Sequence, residues 1–286
     1  MLFATSSGGG GLGVVNEALA LQIVAASKPD FSRGLPITEA TDRVSAILDV
    51  TPPQDGRNVY GELIKAYDFK LDQTTVFISL NYDIVLEHAL QEMKPDGWYY
   101  PQIETAVRRR GDGVRILKPH GSLNWRHTGN CPPVKIDTNY ELQPVSNKSG
   151  KDSNEFEQAL IVAPTQLKQE LNDPKSQSPE MTDLLGRIWS DCADVLASAK
   201  RLFLIGYSFP PTDHPVRTLL RLANSRRRGL LFDEIVLCTY KDGWGDGSPC
   251  HAAKQLFRQK KWKEWAHFDK GFEGLAKGNG RVCCCK

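Results

Sequence analysis

The chain has 286 residues, enough for one large α/β domain or two small ones with a sizeable hydrophobic core. Its 40% hydrophobic and 24% charged residues are ordinary for a globular protein, and a formal net charge of +2 is too small to argue for a nucleic-acid partner. No apolar stretch reaches the roughly 18 residues of a membrane-spanning helix, and the first residues lack the basic and apolar regions of a secretory signal.

The seven cysteines form no CxxC pair, and Cys283-Cys284-Cys285 has no histidine nearby. Neither a metal site nor a disulfide framework is expected, and a reducing, cytoplasmic setting fits best. His88, His127, His251 and His267 show no ligand spacing. The basic runs Arg108-Arg109-Arg110 and Arg226-Arg227-Arg228 read as solvated faces.

Along the chain, residues 1–18 are expected to form a flexible N-terminal extension, ahead of a domain over 19–270 and a tail over 271–286. Gly8, Gly10 and Gly13 satisfy GxGxxG, a weak signal, because four consecutive glycines match many patterns and only Leu2-Phe3-Ala4 offers a preceding strand. Leu19 to Ala26 reads equally as a buried strand or a helix end. A helix is expected from Pro36, with Val44, Ile47 and Leu48 as its apolar stripe, and another over 60–67.

Val76 to Leu80 is a strand leading into Asn81-Tyr82-Asp83, and a helix follows with Asp83 as its N-cap. Val114 to Lys118 is a strand ahead of His120-Gly121-Ser122. Residues 126–159 are polar and aperiodic, an inserted loop or small subdomain, after which Leu160 to Ala163 resumes strand character. An amphipathic helix over 182–199 comes next. The strand Arg201 to Ile205 then runs into Gly206-Tyr207-Ser208, a helix starts at Asp213, and Glu234 to Cys238 is the last strand. This alternation predicts an α/β class with a parallel sheet and helices on both faces.

In such sheets ligands bind outside the carboxyl ends of the strands, so three polar or glycine-bearing turns at three strand ends can converge on one site. A histidine titrates near neutrality and suits a general base. An asparagine can hold a water or a sugar hydroxyl without adding charge. The plainer readings remain open: a hydrogen-bonded structural histidine, a helix cap at Asp83, a tight turn at Gly206, and core aromatics at Trp125 and Tyr207.

FISLNYDIVLEHAL, LKPHGSLNW, ALIVAPTQLK and LFLIGYSFPPTDHPVRTLL, in that order over residues 19–240, resemble the SIR2-like domain, the sirtuin-related NAD-binding family of bacterial anti-phage systems. The resemblance implies a Rossmann-like fold and an NAD glycohydrolase that breaks the bond between nicotinamide and ribose. It places Asn81 and His120, with Asp83 beside them, at the nicotinamide ribose, and Gly121, Ser122, Gly206, Tyr207, Ser208 and Asp213 around the nucleotide. It also implies an activating partner or a homo-oligomer.

The family's glycine-rich diphosphate turn aligns with Lys28 to Pro36. Phe31-Ser32 and Gly34-Leu35-Pro36 fit the pattern, with Phe31 and Ser32 as binding residues, but Lys28-Pro29-Asp30 stands where two glycines belong, and Arg33 or Lys28 would compensate by direct charge pairing. Pro29 removes an amide donor and Asp30 repels phosphate, which keeps a non-catalytic module binding NAD or ADP-ribose as an alternative. The zinc module of true sirtuins is missing between His120 and Leu160, which disfavours NAD-dependent protein deacylation.

Overall fold

The computed structural model describes residues 2–3, 59–67, 69–95, 97–103, 113–127, 134–136, 159–161, 179–207, 209, 213–227, 232–238, 249–257 and 265–268. The elements in chain order are β1 (Leu2–Phe3), α1 (Val59–Ala66), β2 (Val76–Ser79), α2 (Val85–Met93), β3 (Trp98–Tyr99), β4 (Val114–Leu117), β5 (Gly121–His127), β6 (Val134–Ile136) and β7 (Ala159–Ile161). There follow α3 (Pro179–Ser198), β8 (Arg201–Ile205), α4 (His214–Arg226), β9 (Glu234–Cys238), α5 (Pro249–Phe257) and β10 (Trp265–Phe268).

Seven strands form one sheet in the order β10-β9-β8-β1-β2-β4-β3, with every neighbouring pair parallel. The apolar runs of β2, β8 and β9 are buried at successive residues rather than at alternate ones. Continuous burial means that both faces of the sheet are covered, as parallel sheets require. Leu184, Ile188 and Leu196 of α3 and Val216 and Leu220 of α4 share one core with Phe77, Ile116, Phe203, Ile235 and Leu237. The fold is α/β, as the alternation of elements predicts.

Leu2–Phe3 corrects the expectation of an unstructured start. It pairs with β2 on one side and β8 on the other, at the middle of the sheet. Two residues are enough here because both neighbours hold them, whereas in sequence the glycine run that follows dominates the local composition.

Where an inserted loop or small subdomain is expected, the described residues form a second, three-stranded sheet in the order β6-β5-β7, with antiparallel pairing. It begins at Gly121 rather than 126 and includes Ala159–Ile161, so this strand lies outside the parallel sheet. A further correction concerns Arg227, read as part of a solvated basic face. It is buried, its guanidinium stacks 3.6 Å from the Phe232 ring centroid, and it donates to the Leu196, Ala197 and Ala199 carbonyls at the end of α3. Those carbonyls have no intrahelical donors, so an arginine is held there. Burial lowers its pKa, with Asp233 opposing.

Among the described residues no helix is long and apolar enough to cross a membrane. The expected helix from Pro36, the segment Leu19 to Ala26 and the tail over 271–286 lie outside the described residues.

Candidate functional site

The carboxyl ends of the parallel strands are brought level by register. Phe3 pairs with Ser79 and with Ile205, Ile78 with Leu117, and Ile205 with Cys238. The turns starting at Leu80, Lys118 and Gly206 therefore leave the same edge of the sheet.

Two of them are tied together directly. Lys118 to Gly121 is a tight turn closed by the Gly121 amide on the Lys118 carbonyl at 3.0 Å, with Pro119 in the first central position. Gly121 has φ 86°, in the left-handed region that a glycine enters without strain. The Leu123 amide donates to the Tyr82 carbonyl at 3.0 Å. Nδ1 of His120 lies 3.3 Å from the Leu80 carbonyl. A carbonyl only accepts, so this bond requires the proton on Nδ1 and leaves the lone pair of the neutral ring on Nε2. His120 is 5% exposed, with the rings of Tyr82 and Trp189 at 6.3 and 5.6 Å.

Asn81, Tyr82 and Asp83 keep part of their surface in solvent. The Asn81 amide nitrogen lies 3.3 Å from Ser79 Oγ. Asp83 misses the cap position by one residue: Ile84 is the N-cap, and Asp83 Oδ1 accepts from the Val85 amide at 3.1 Å. Burial raises the Asp83 pKa, and Glu87 adds to it, while the charge of Lys118 and hydrogen bonds from Val85 and Asn81 oppose it. Asn81 thus donates its side-chain amide to Asp83.

Beneath these turns lies a closed ring of polar side chains, of which only Ser122 was among the expected site residues. Lys118 Nζ donates to Glu87 Oε1 at 2.9 Å and to Ser122 Oγ at 2.8 Å. Ser122 Oγ donates to Asn124 Oδ1 at 2.7 Å. Asn124 Nδ2 reaches the Tyr100 hydroxyl at 3.3 Å, and that hydroxyl donates to Glu87 Oε1 at 2.7 Å. Lys118 and Glu87 are both 0% exposed, and Ser122, Asn124 and Tyr100 are buried. From this ring Lys118 also reaches out to the Tyr82 carbonyl at 3.3 Å and the Asp83 carbonyl at 2.5 Å.

The third turn is built separately. Gly206 has φ 68°, and its amide donates to the Cys238 carbonyl at 2.8 Å, at the end of the β8–β9 ladder. The Tyr207 hydroxyl donates to Asp213 Oδ2 at 3.0 Å, while Asp213 Oδ1 caps α4 by accepting from Val216. Phe209 follows at φ 54°, and its carbonyl accepts from Arg217 Nη1 at 3.0 Å.

No family model matches the chain, and no curated protein matches it. The site therefore stands on its geometry.

Of the expected site residues, Asn81, Asp83, His120 and Gly121 fall in the two joined turns. Ser122 is there too, but its hydroxyl is engaged within the buried ring. Gly206, Tyr207 and Asp213 sit at the end of β8, one strand beyond β1 from the first turn. Phe31, Ser32, Arg33 and Ser208 lie outside the described residues, as do Lys28, Pro29 and Asp30. Among the described residues no group of His, Cys, Asp or Glu side chains is arranged to hold a metal ion.

Trp189 and Lys118 extend the site beyond the expected residues. Lys118 carried a signal: a lysine directly ending an apolar strand and entering a histidine turn is badly placed for solvent.

Proposed function

We propose that this chain is a SIR2-like, Rossmann-type NAD glycohydrolase. The strand order supports the fold. From β4 to β10 it reads β4-β2-β1-β8-β9-β10, the order of doubly wound dinucleotide-binding sheets, with the winding reversing between β1 and β8. The observation that carries the chemistry is the joining of the Asn81 and His120 turns at neighbouring strand ends, with Nδ1 of His120 committed to the Leu80 carbonyl.

In this reading the diphosphate lies at the carboxyl end of β1. The glycine run Ser6 to Gly13 follows β1 in sequence, so Gly8, Gly10 and Gly13 join Phe31, Ser32 and Arg33 as candidates for the diphosphate contact. Gly206 and Tyr207, across β1, face the other half of the nucleotide.

The reaction breaks the C–N bond between ribose and nicotinamide, with the electron pair leaving on the nicotinamide nitrogen. A water oxygen forms the new bond to the same ribose carbon, and its proton passes to Nε2 of His120. The Asn81 carbonyl oxygen holds that water or a ribose hydroxyl. Asp83 orients the Asn81 amide, and the Tyr82 and Trp189 rings limit bulk water. The products are nicotinamide and ADP-ribose. Hydrolysis is preferred over deacylation because the segment between His120 and Leu160 contains a single cysteine, Cys131, and so lacks a four-cysteine zinc module.

Incubation with NAD, with and without an acetylated peptide, tests the reading. Nicotinamide release that is independent of the peptide is expected, whereas peptide-dependent release means deacylation. Calorimetric binding of NAD without release means a sensing module, and no binding removes the proposal. Bulky substitution at Gly10 and Arg33→Ala identify the diphosphate segment by which of them weakens NAD binding.

A further inference from the structure

We propose that Lys118 is a positioning residue for the cleavage site: its buried ammonium holds the Asn81 turn against the His120 turn. The inference rests on the NAD-cleaving reading for its kinetics, but its geometry stands independently.

An ammonium has three protons, and here they face four acceptors: Glu87 Oε1, Ser122 Oγ, and the Tyr82 and Asp83 carbonyls. Two of these are the backbone of the residues immediately after Asn81. Lys118 itself lies two residues before His120. One fully buried cation therefore joins the backbone that carries the asparagine to the backbone that carries the imidazole.

Lys118 touches neither of those side chains, and a fully buried ammonium has no route to a substrate, so it is not catalytic. Its freedom is removed by the ring: Glu87 on α2 neutralises the charge, Tyr100 donates to Glu87 and accepts from Asn124, and Ser122 closes the circuit from β5. Small misplacements of reacting groups cost large factors in rate, so such a strut acts on turnover more than on nucleotide affinity.

The test uses the full-length chain with Lys118→Met, the double variant Lys118→Met/Glu87→Leu, and Lys118→Arg. The double variant removes the strut without leaving an unpaired buried charge. Two readouts are taken: kcat and KM for NAD cleavage, and the His120 tautomer by ¹⁵N NMR, assigned by difference from His120→Gln.

The expected result is a folded double variant whose kcat falls at least about tenfold, with KM changed by less than about threefold. Its His120 resonances shift from Nδ1-protonated toward a mixture as the Leu80 carbonyl moves. Lys118→Arg, which keeps the charge with a different fork, is expected to fall between wild type and the double variant in both readouts.

A double variant that retains wild-type kcat and tautomer overturns the proposal, because Lys118 then serves stability alone. Should the double variant fail to fold, Lys118→Arg decides by the same two readouts. If the wild-type chain releases no nicotinamide, the NAD reading fails while the tautomer measurement still decides whether Lys118 positions the turn.

Discussion

The Lys118–Glu87 pair gives the sharpest energetic expectation. Both side chains are 0% exposed and 2.9 Å apart, so removing either strands its partner as a buried charge. That loss is typically about 3–5 kcal/mol. Lys118→Met additionally deprives the Tyr82 and Asp83 carbonyls and Ser122 of a donor. Glu87→Leu leaves the Tyr100 hydroxyl without its acceptor on the carboxylate.

The double variant Lys118→Met/Glu87→Leu no longer buries a lone charge. Its remaining cost is that of neutral groups short of a partner, about 1–3 kcal/mol each at most. It is therefore expected to be no less stable than Lys118→Met, and about 3 kcal/mol more stable than the sum of the two single losses implies. Urea titrations followed by circular dichroism on the four proteins measure this coupling. Losses that add within about 0.5 kcal/mol would show that the two side chains do not interact and would refute the buried ring.

Three further outcomes follow from other parts of the molecule. Cys192 and Cys238 are buried, and burial raises both thiols, Cys238 to about 12, so neither should react with a thiol reagent until urea unfolds the chain. Gly206→Ala forces a Cβ into a left-handed conformation and should cost about 1–2 kcal/mol in the same titration; no loss would mean that this turn differs from the one described.

Asp83 has a folded pKa raised mainly by burial, so the folded state holds its proton more tightly than the unfolded chain. Its contribution is present below the free value of 3.8 and is lost as pH rises through the folded pKa. Asp83→Asn should therefore gain stability relative to wild type as pH rises across that window, and a pH-independent difference would contradict the assigned shift.

Much of the parallel sheet was legible because continuous apolar runs bounded by turns have few other uses: Val76 to Ser79, Val114 to Leu117, Arg201 to Ile205 and Glu234 to Cys238 are all strands. The start of α4 at Asp213 was legible too, while the capping role of that residue comes from the structure, where its Oδ1 accepts from the Val216 amide. The strands β1 and β3 are two residues each, too short to show a period, and their identity comes from neighbours supplied by distant parts of the chain.

The polar ring was hidden by separation, since Glu87 and Lys118 are 31 positions apart. Glu87 did carry a hint. It lies between Leu86 and Ala89, three residues before Leu90, on the buried face of α2, where a carboxylate needs a partner. The closeness of Asn81 and His120 was suggested by their matching places after two strands. The carbonyl contacts that fix it depend on backbone geometry, which no residue pattern encodes.

Nicotinamide release from NAD by the wild-type chain, Asn81→Ala and His120→Ala, each verified as folded, tests most directly whether the two joined turns form one cleavage site. Release by wild type, with a loss of at least about 100-fold in both variants, is the predicted result. Release at the wild-type rate by either variant would contradict it.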